Sequence, residues 1–349
     1  MAEDEFRDEN RQRLIARLES ILSDSEEGFL LPPGTWAALW LSDIEKLSTI
    51  VTIAMDKPDI IWTAVIQDYV VMERILKPWN QRLRTSRSGT ITPTRIDTID
   101  EDDQDDRTIG SSSSDSGESN SSLKRSEAAK ESCLIRDSRA CVLTHAGEPL
   151  EVAHIYPYSM NSPYPMNTLH RDQYFWFPLG MFWTEEQISR WKSAISTEQS
   201  TEVLPNLMSL CPNAHAYWDK TLLALKPLDV SQDGASMDVQ FFWLRPCNRL
   251  PSVRLTTRPC LSDDSTSPIN NVKLFDHVTD RVIHSGDIIT LRTDDPQLRP
   301  LPRKDLLEMQ WFLHRLTALS GGAEAPFYCN DPEDDDSYDE IGDSDIDEY

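Results

Sequence analysis

His215 and Asp219 stand four residues apart in the run HAYWD. On a helix that spacing brings both side chains to one face. An imidazole and a carboxylate so placed can share one divalent ion, and an ion held that way suits the hydrolysis of phosphodiesters. Two polar residues upstream join them. His154 ends the short apolar run LEVAHI and precedes the Pro- and Tyr-rich YPYS, a position from which a side chain can point toward a ligand. Asn206 opens NLMSLC, and its amide can tie a loop down through backbone hydrogen bonds. Each has a plainer reading when taken alone. His154 is then a histidine packed beside the Pro157 loop, Asp219 a solvated helix carboxylate, and Asn213 a turn residue.

Short elements must position these groups. CVLT and LEVAHI read as strand-like runs separated by the turn chemistry of HAGEP. NLMSLC is a turn and a short run to Cys211, followed by a Pro-Asn turn and a helix from about Ala214. Between the two halves lies an aromatic-rich segment, YFWFPLGMFWTEEQISRWKSAI. Its second half predicts a helix, with Thr184 as N-cap and Glu185 and Glu186 in the first turn. The Trp and Phe residues over 175–191 read as core, with a base-stacking platform as the other use. Further on, MDVQFFWL and VIHSGDIITLRT predict strands. RKDLLEMQWFLHRLTALSGG predicts an amphipathic helix stopped by Gly321 and Gly322. Near the N-terminus Leu14, Leu18, Ile21 and Leu22 recur at helical spacing. TWAALWLSDIEKLSTIVTIAM and DIIWTAVIQDYVVMERIL are two further helices, separated by Pro58, the second ended by Pro78.

Composition divides the chain. A helical region over 1–84 offers no chemistry of its own and reads as a small helical unit or dimerisation element. Residues 85–130 are Ser-, Asp- and Gly-rich with almost no large apolar side chains, so they cannot bury enough surface to offset chain entropy and read as a disordered acidic linker. The chemistry-bearing module spans 131–235, a β/α extension 236–325, and an acidic disordered tail 326–349. The formal charge of −25 would repel nucleic acid if it were uniform. It is not: the linker and tail are the most acidic stretches, while residues 131–230 carry seven Lys and Arg against eleven Asp and Glu. The six cysteines form no C-x-x-C pair, which argues against a zinc ribbon or a disulfide framework and for a reducing, intracellular setting. Neither a membrane-spanning run nor a secretory signal is apparent, so nuclear or cytoplasmic localisation is the expectation.

The ordered pieces CVLT…EVAHIYPYS, NLMSLCPNAHAYWD and LALKPL resemble the HNH endonuclease family, and more narrowly the HNH-domain proteins of filamentous fungi. The resemblance covers about residues 133–230 and extends loosely through VQFFWL, HSGDIITLRTDDPQLRPLP and LLEMQWFLHRLTALSGGAE. It implies an α+β chain built on a ββα-metal module, in which two antiparallel strands and a helix clamp one divalent ion. It further implies His154 as general base, Asn206 as the residue holding the loop and the histidine, and His215 and Asp219 as metal ligands. Mg²⁺ or Mn²⁺ is the expected ion, with Zn²⁺ or Ni²⁺ as substitutes. The implied substrate is nucleic acid, DNA first, with protein partners at the N-terminal helices or residues 161–195 and no membrane.

The chain departs from the family at Ala153, where many HNH enzymes carry a metal ligand before the histidine. Glu151 is a poor substitute, lying two residues and roughly 7 Å further back along a strand. A second reading is therefore an HNH-fold interaction or regulatory protein with weak or lost activity. A third is a structural zinc held by Cys141, Cys211 and His215; those two cysteines otherwise read as buried thiols flanking one another across the strands.

Overall fold

The computed structural model of the chain describes residues 3–23, 30–67, 72, 75–76, 79, 126–157, 160, 175–195, 201–244, 252–261 and 272–321. The acidic stretch up to residue 125, the tail and residues 161–174 of the aromatic insertion lie outside that set. The elements in chain order are α1 (Glu9–Ser23), α2 (Pro33–Leu41), α3 (Ile44–Asp56), α4 (Pro58–Ile61, continued as a wide turn over Trp62–Gln67), α5 (Glu127–Arg136), β1 (Glu151–His154), α6 (Glu185–Ile195), β2 (Leu207–Leu210), α7 (Pro212–Asp219), β3 (Leu223–Val230), β4 (Ser236–Trp243), β5 (Phe275–Asp276), β6 (Arg281–Val282), β7 (Ile288–Arg292) and α8 (Lys304–Leu319). Among the described residues this is an α+β arrangement with three small antiparallel sheets: β1–β2, β3–β4–β7 and β5–β6.

Local chemistry explains most boundaries. Pro33, Pro58 and Pro212 each open a helix, where a missing N–H costs nothing. Ser126 caps α5 by accepting a hydrogen bond from the Ala129 N–H at 3.2 Å, so this helix begins inside the segment that composition assigned to linker. Thr184 Oγ1 receives the Gln187 N–H at 3.4 Å at the start of α6, as predicted. Three expectations fail. VIHSGDIITLRT is not one strand: Val282 ends β6, residues 283–287 leave strand geometry, and β7 begins only at Ile288, in a different sheet. CVLT is not a strand: residues 142–144 turn, His145 takes a left-handed backbone, and the Cys141 and His145 amides close the turn onto Ala146 and Cys141 carbonyls. TWAALWLSDIEKLSTIVTIAM is not one helix. Ser42 leaves helical geometry with its hydroxyl on the Leu39 carbonyl. Asp43 is held from outside, its N–H donating to the Phe182 carbonyl at 2.8 Å and its carboxylate accepting the Thr184 N–H at 2.7 Å. A tertiary contact there overrides helix propensity.

α8 is the central strut, apolar on nearly every side and buried along its length, as a helix enclosed by other elements must be. It lies on β3 and also touches α2 and α6. Its polar residues are matched to that position: Gln310 Oε1 accepts the Leu225 N–H at 3.2 Å, His314 Nδ1 lies 2.8 Å from the Leu223 carbonyl, and Arg315 stacks on Trp311 and pairs with Glu5 at 2.9 Å. The N-terminal helices are bound into the same core. Leu31 pairs with Val253 through both backbone groups at 2.8 Å, and the indole N–H groups of Trp36 and Trp40 donate to the Thr257 and Leu255 carbonyls. Their apolar faces are thus covered by this chain itself. The aromatic residues Phe175, Trp176, Phe182, Trp183 and Trp191 are likewise buried in that core.

Candidate active site

Elements β1, β2 and α7 frame the site. β1 pairs with β2 in the register Glu151↔Leu210 through His154↔Leu207. α7 packs its buried Ala214 and Trp218 toward the hairpin and the core, and the Trp218 indole N–H donates to the His154 carbonyl at 3.1 Å. That bond fixes one end of the helix to the end of the strand. β2 is held from its other side by α5. The buried Arg136 guanidinium donates to the Leu204, Leu207 and Pro300 carbonyls, and the Asp137 carboxylate accepts the Ser209 N–H at 2.8 Å.

His215 and Asp219 meet on α7 as their spacing predicts, with His215 Nε2 3.6 Å from Asp219 Oδ1. Glu151 reaches the other side of the ring, its Oε2 2.5 Å from His215 Nδ1. A carboxylate only accepts, so Nδ1 carries the hydrogen directed at Glu151, and Nε2 is the ring atom on the side of Asp219. A histidine that binds a metal through one nitrogen typically donates the other to a carboxylate. Two cis ligands at 2.0–2.2 Å from one ion stand roughly 3 Å apart, close to the separation seen here. The residues therefore fit a divalent ion held by His215 Nε2 and Asp219, with Glu151 orienting the imidazole. The sequence reading dismissed Glu151 as a replacement ligand; its place is behind the histidine, and the reach of a glutamate from β1 to α7 is a matter of packing.

Asn206 is buried, and its amide is used fully in one direction. Oδ1 accepts the Tyr156 N–H at 2.7 Å, while Nδ2 donates to the Tyr156 carbonyl at 3.1 Å and the Thr201 carbonyl at 2.9 Å; the Asn206 backbone carbonyl accepts the Ile155 N–H at 2.9 Å. The side chain thus stands in for one more residue of strand pairing and carries the β1–β2 hairpin two residues past His154. His154 itself holds a carboxylate that sequence reasoning did not single out: Nε2 lies 2.7 Å from Glu202 Oε1, with both side chains 10% exposed. Nothing in STEVLPN marks Glu202 as special.

The four residues expected to form the site all sit on this strand–loop–strand–helix unit. They are not gathered round one point: among the described residues no three His, Cys, Asp or Glu side chains are clustered to hold a metal. That also corrects the structural-zinc reading, since His215 is turned to Glu151 and Asp219 rather than to the thiols. Cys141 and Cys211 do neighbour one another. The Cys211 thiol is drawn well below its ordinary value, first by the hydrogen bond from Cys141 and further by the Ala214 amide and the Thr144 hydroxyl, which lies 3.6 Å from its sulfur. The same contact with Cys211, together with burial, pushes the Cys141 thiol up.

Residues 141–226 match the family model described as HNH endonuclease. The match begins at the Cys141 turn, includes β1, β2 and α7 entire, and ends in β3; it spans about a quarter of the chain. That segment of the chain is thus similar to the HNH endonuclease family. No curated protein and no solved structure matches it. No helix among the described residues is long and apolar enough to cross a membrane.

Proposed function

We propose that this protein is a metal-dependent endonuclease that hydrolyses phosphodiester bonds in DNA. The observation that carries the reading is the line Glu151–His215–Asp219, an oriented imidazole and a carboxylate presented together by α7 inside the segment matched to the HNH family. A bound divalent ion would supply Lewis acidity at the phosphate and charge for the departing oxygen. His215 and Asp219 would hold it, and waters and phosphate oxygens would complete its shell. His154 acts as the general base on the attacking water, a task suited to an imidazole, whose ordinary pKa is near 6.5. Asn206 keeps the strand end and the following loop in place, so that His154 does not move relative to α7. Ala153 is buried and apolar and offers no donor, so a bound ion would take its side-chain ligands from α7, His215 and Asp219.

The test is nicking of supercoiled plasmid by the purified full chain with Mg²⁺, Mn²⁺, Zn²⁺ or Ni²⁺. Cleavage that falls by about a hundredfold or more in His154→Ala is the expected result, the usual loss when a general base is removed. Equal rates in the two proteins would remove the catalytic assignment, and no cleavage with any of the four ions would remove the nuclease reading.

A further inference from the structure

Three carboxylates in this module face histidines, and two of them, Glu151 and Asp219, belong to the metal half of the site. The third, Glu202, lies in the segment just before β2 and touches His154. Its two oxygens are used in different directions. Oε1 sits 2.7 Å from His154 Nε2, and Oε2 accepts the backbone N–H of Ser126, the residue that caps α5, at 3.2 Å. A carboxylate tied at both oxygens cannot rotate without losing one bond. His154 is fixed from its backbone as well, because its carbonyl accepts the Trp218 indole N–H. Among the charged groups of the adjoining elements, Arg136 and Asp137 engage each other and the β2 backbone, Glu151 faces His215, and Asp219 lies beside His215.

We infer that Glu202 is a positioning residue for the base, taking the Nε2–H of His154 as a hydrogen bond and thereby assigning Nδ1 as the atom that accepts the proton of the attacking water. The inference rests on the nuclease reading above. Its chemistry follows from donor inventory. An ionised carboxylate has no proton to give, so the neutral imidazole facing it at 2.7 Å carries its hydrogen on Nε2 and its lone pair on Nδ1. In the step, water gives one proton to Nδ1, the new oxygen–phosphorus bond forms, and the bond from phosphorus to the departing sugar oxygen breaks; that oxygen takes a proton from solvent. His154 becomes an imidazolium while Glu202 stays ionised beside it, which lowers the energy of the charged form without any proton passing to the carboxylate. The low exposure of both side chains strengthens that interaction relative to one in bulk water. Because Glu202 also binds the amide of Ser126, the residue that caps α5, the geometry of the base is coupled to the start of that helix.

The experiment has a spectroscopic arm and a kinetic arm. Long-range ¹⁵N–¹H correlation spectra of the full chain with ¹⁵N-labelled histidine, without metal or DNA, should show His154 as the Nε2–H tautomer alone. Glu202→Ala should show a mixture of both tautomers. In plasmid nicking, Glu202→Gln should lose at least about tenfold in kcat with KM and melting temperature unchanged, because a neutral amide cannot stabilise the imidazolium. Glu202→Asp should recover part of that loss. A wild-type His154 protonated at Nδ1, or a Glu202→Gln chain that cleaves at the wild-type rate, overturns this inference and leaves the nuclease reading standing. A wild-type chain that cleaves nothing overturns the nuclease reading, and this role with it.

Discussion

Asn206 shows how much a single side chain can hold. Replacing it with Ala strips partners from the Tyr156 N–H and from the Tyr156 and Thr201 carbonyls in a buried setting. A buried group left unpaired costs about 1–3 kcal/mol, so urea unfolding of Asn206→Ala should show a loss of at least that size. Asn206→Asp should be no better, since a carboxylate placed against two carbonyls repels both. A midpoint unchanged in either variant would mean the hairpin extension is not held this way. The amide's role was legible in the sequence, because Asn before a short strand is a common loop tether. The roles of Glu151 and Glu202 were not. Both depend on residues brought together across 64 and 48 positions, and no local pattern encodes that. The Cys211 thiol gives a second test at this scale. Its hydrogen bond from Cys141 favours the thiolate, so the ionised form is present at and below neutral pH and is lost only as the pH falls through the lowered value. Alkylation of Cys211 by iodoacetamide at pH 7 should outpace that of an ordinary exposed thiol, and Cys141→Ala should slow it. Equal rates in both proteins would contradict the pairing.

At the scale of elements, α7 is only eight residues long, too short to be stable on propensity alone. Trp218 anchors it, through the bond to the His154 carbonyl and by packing its ring 4.8 Å from that of His314 on α8. Trp218→Ala should cost about 3–5 kcal/mol of stability. Trp218→Phe keeps most of the packing but removes the donor, so it should slow nicking more than it lowers the melting temperature. The reverse ranking would place Trp218 in the core alone. β1, β2 and α7 were each visible in the sequence from short apolar runs, the Pro-Asn turn and the His-Asp spacing. CVLT was misread because its β-branched and apolar residues resemble a strand, whereas the left-handed backbone at His145 turns the chain back. The break at Ser42 was hidden for a related reason: its cause is the contact of Asp43 with Phe182 and Thr184, far along the chain.

For the whole molecule, the segment similar to the HNH family is not a free-standing unit. α8 lies beneath β3, Arg136 reaches the Pro300 carbonyl, and the N-terminal helices close over α8. Composition could not reveal this, since an amphipathic helix reads the same whether its apolar face meets a second copy or its own chain. Charge is the other global property. Acidic side chains outnumber basic ones within 131–230. Arg136 is spent internally, while Arg139 and Arg190 face carboxylates of Glu131, Glu148, Asp305 and Glu308. Few cations are then left to neutralise phosphates. DNA binding should weaken only gently with salt, with a log–log slope on the order of −2 to −3, where a strongly basic nuclease would give a steeper one. A slope near about −6 would mean that the Lys and Arg residues of 81–125, or a rearrangement of the paired arginines, supply the missing charge.

The central claim is that α7 presents a metal site to a phosphodiester. Plasmid nicking measured as a function of Mn²⁺ concentration tests it most directly, in the wild type, His215→Ala and Glu151→Gln. The wild type should show saturable, chelator-reversible cleavage. His215→Ala should abolish it, and Glu151→Gln should need about ten- to a hundredfold more Mn²⁺ for half-maximal rate, the usual loss when a carboxylate behind a metal-binding histidine is removed. Cleavage indifferent to chelator, or the same Mn²⁺ dependence in all three proteins, would contradict the account.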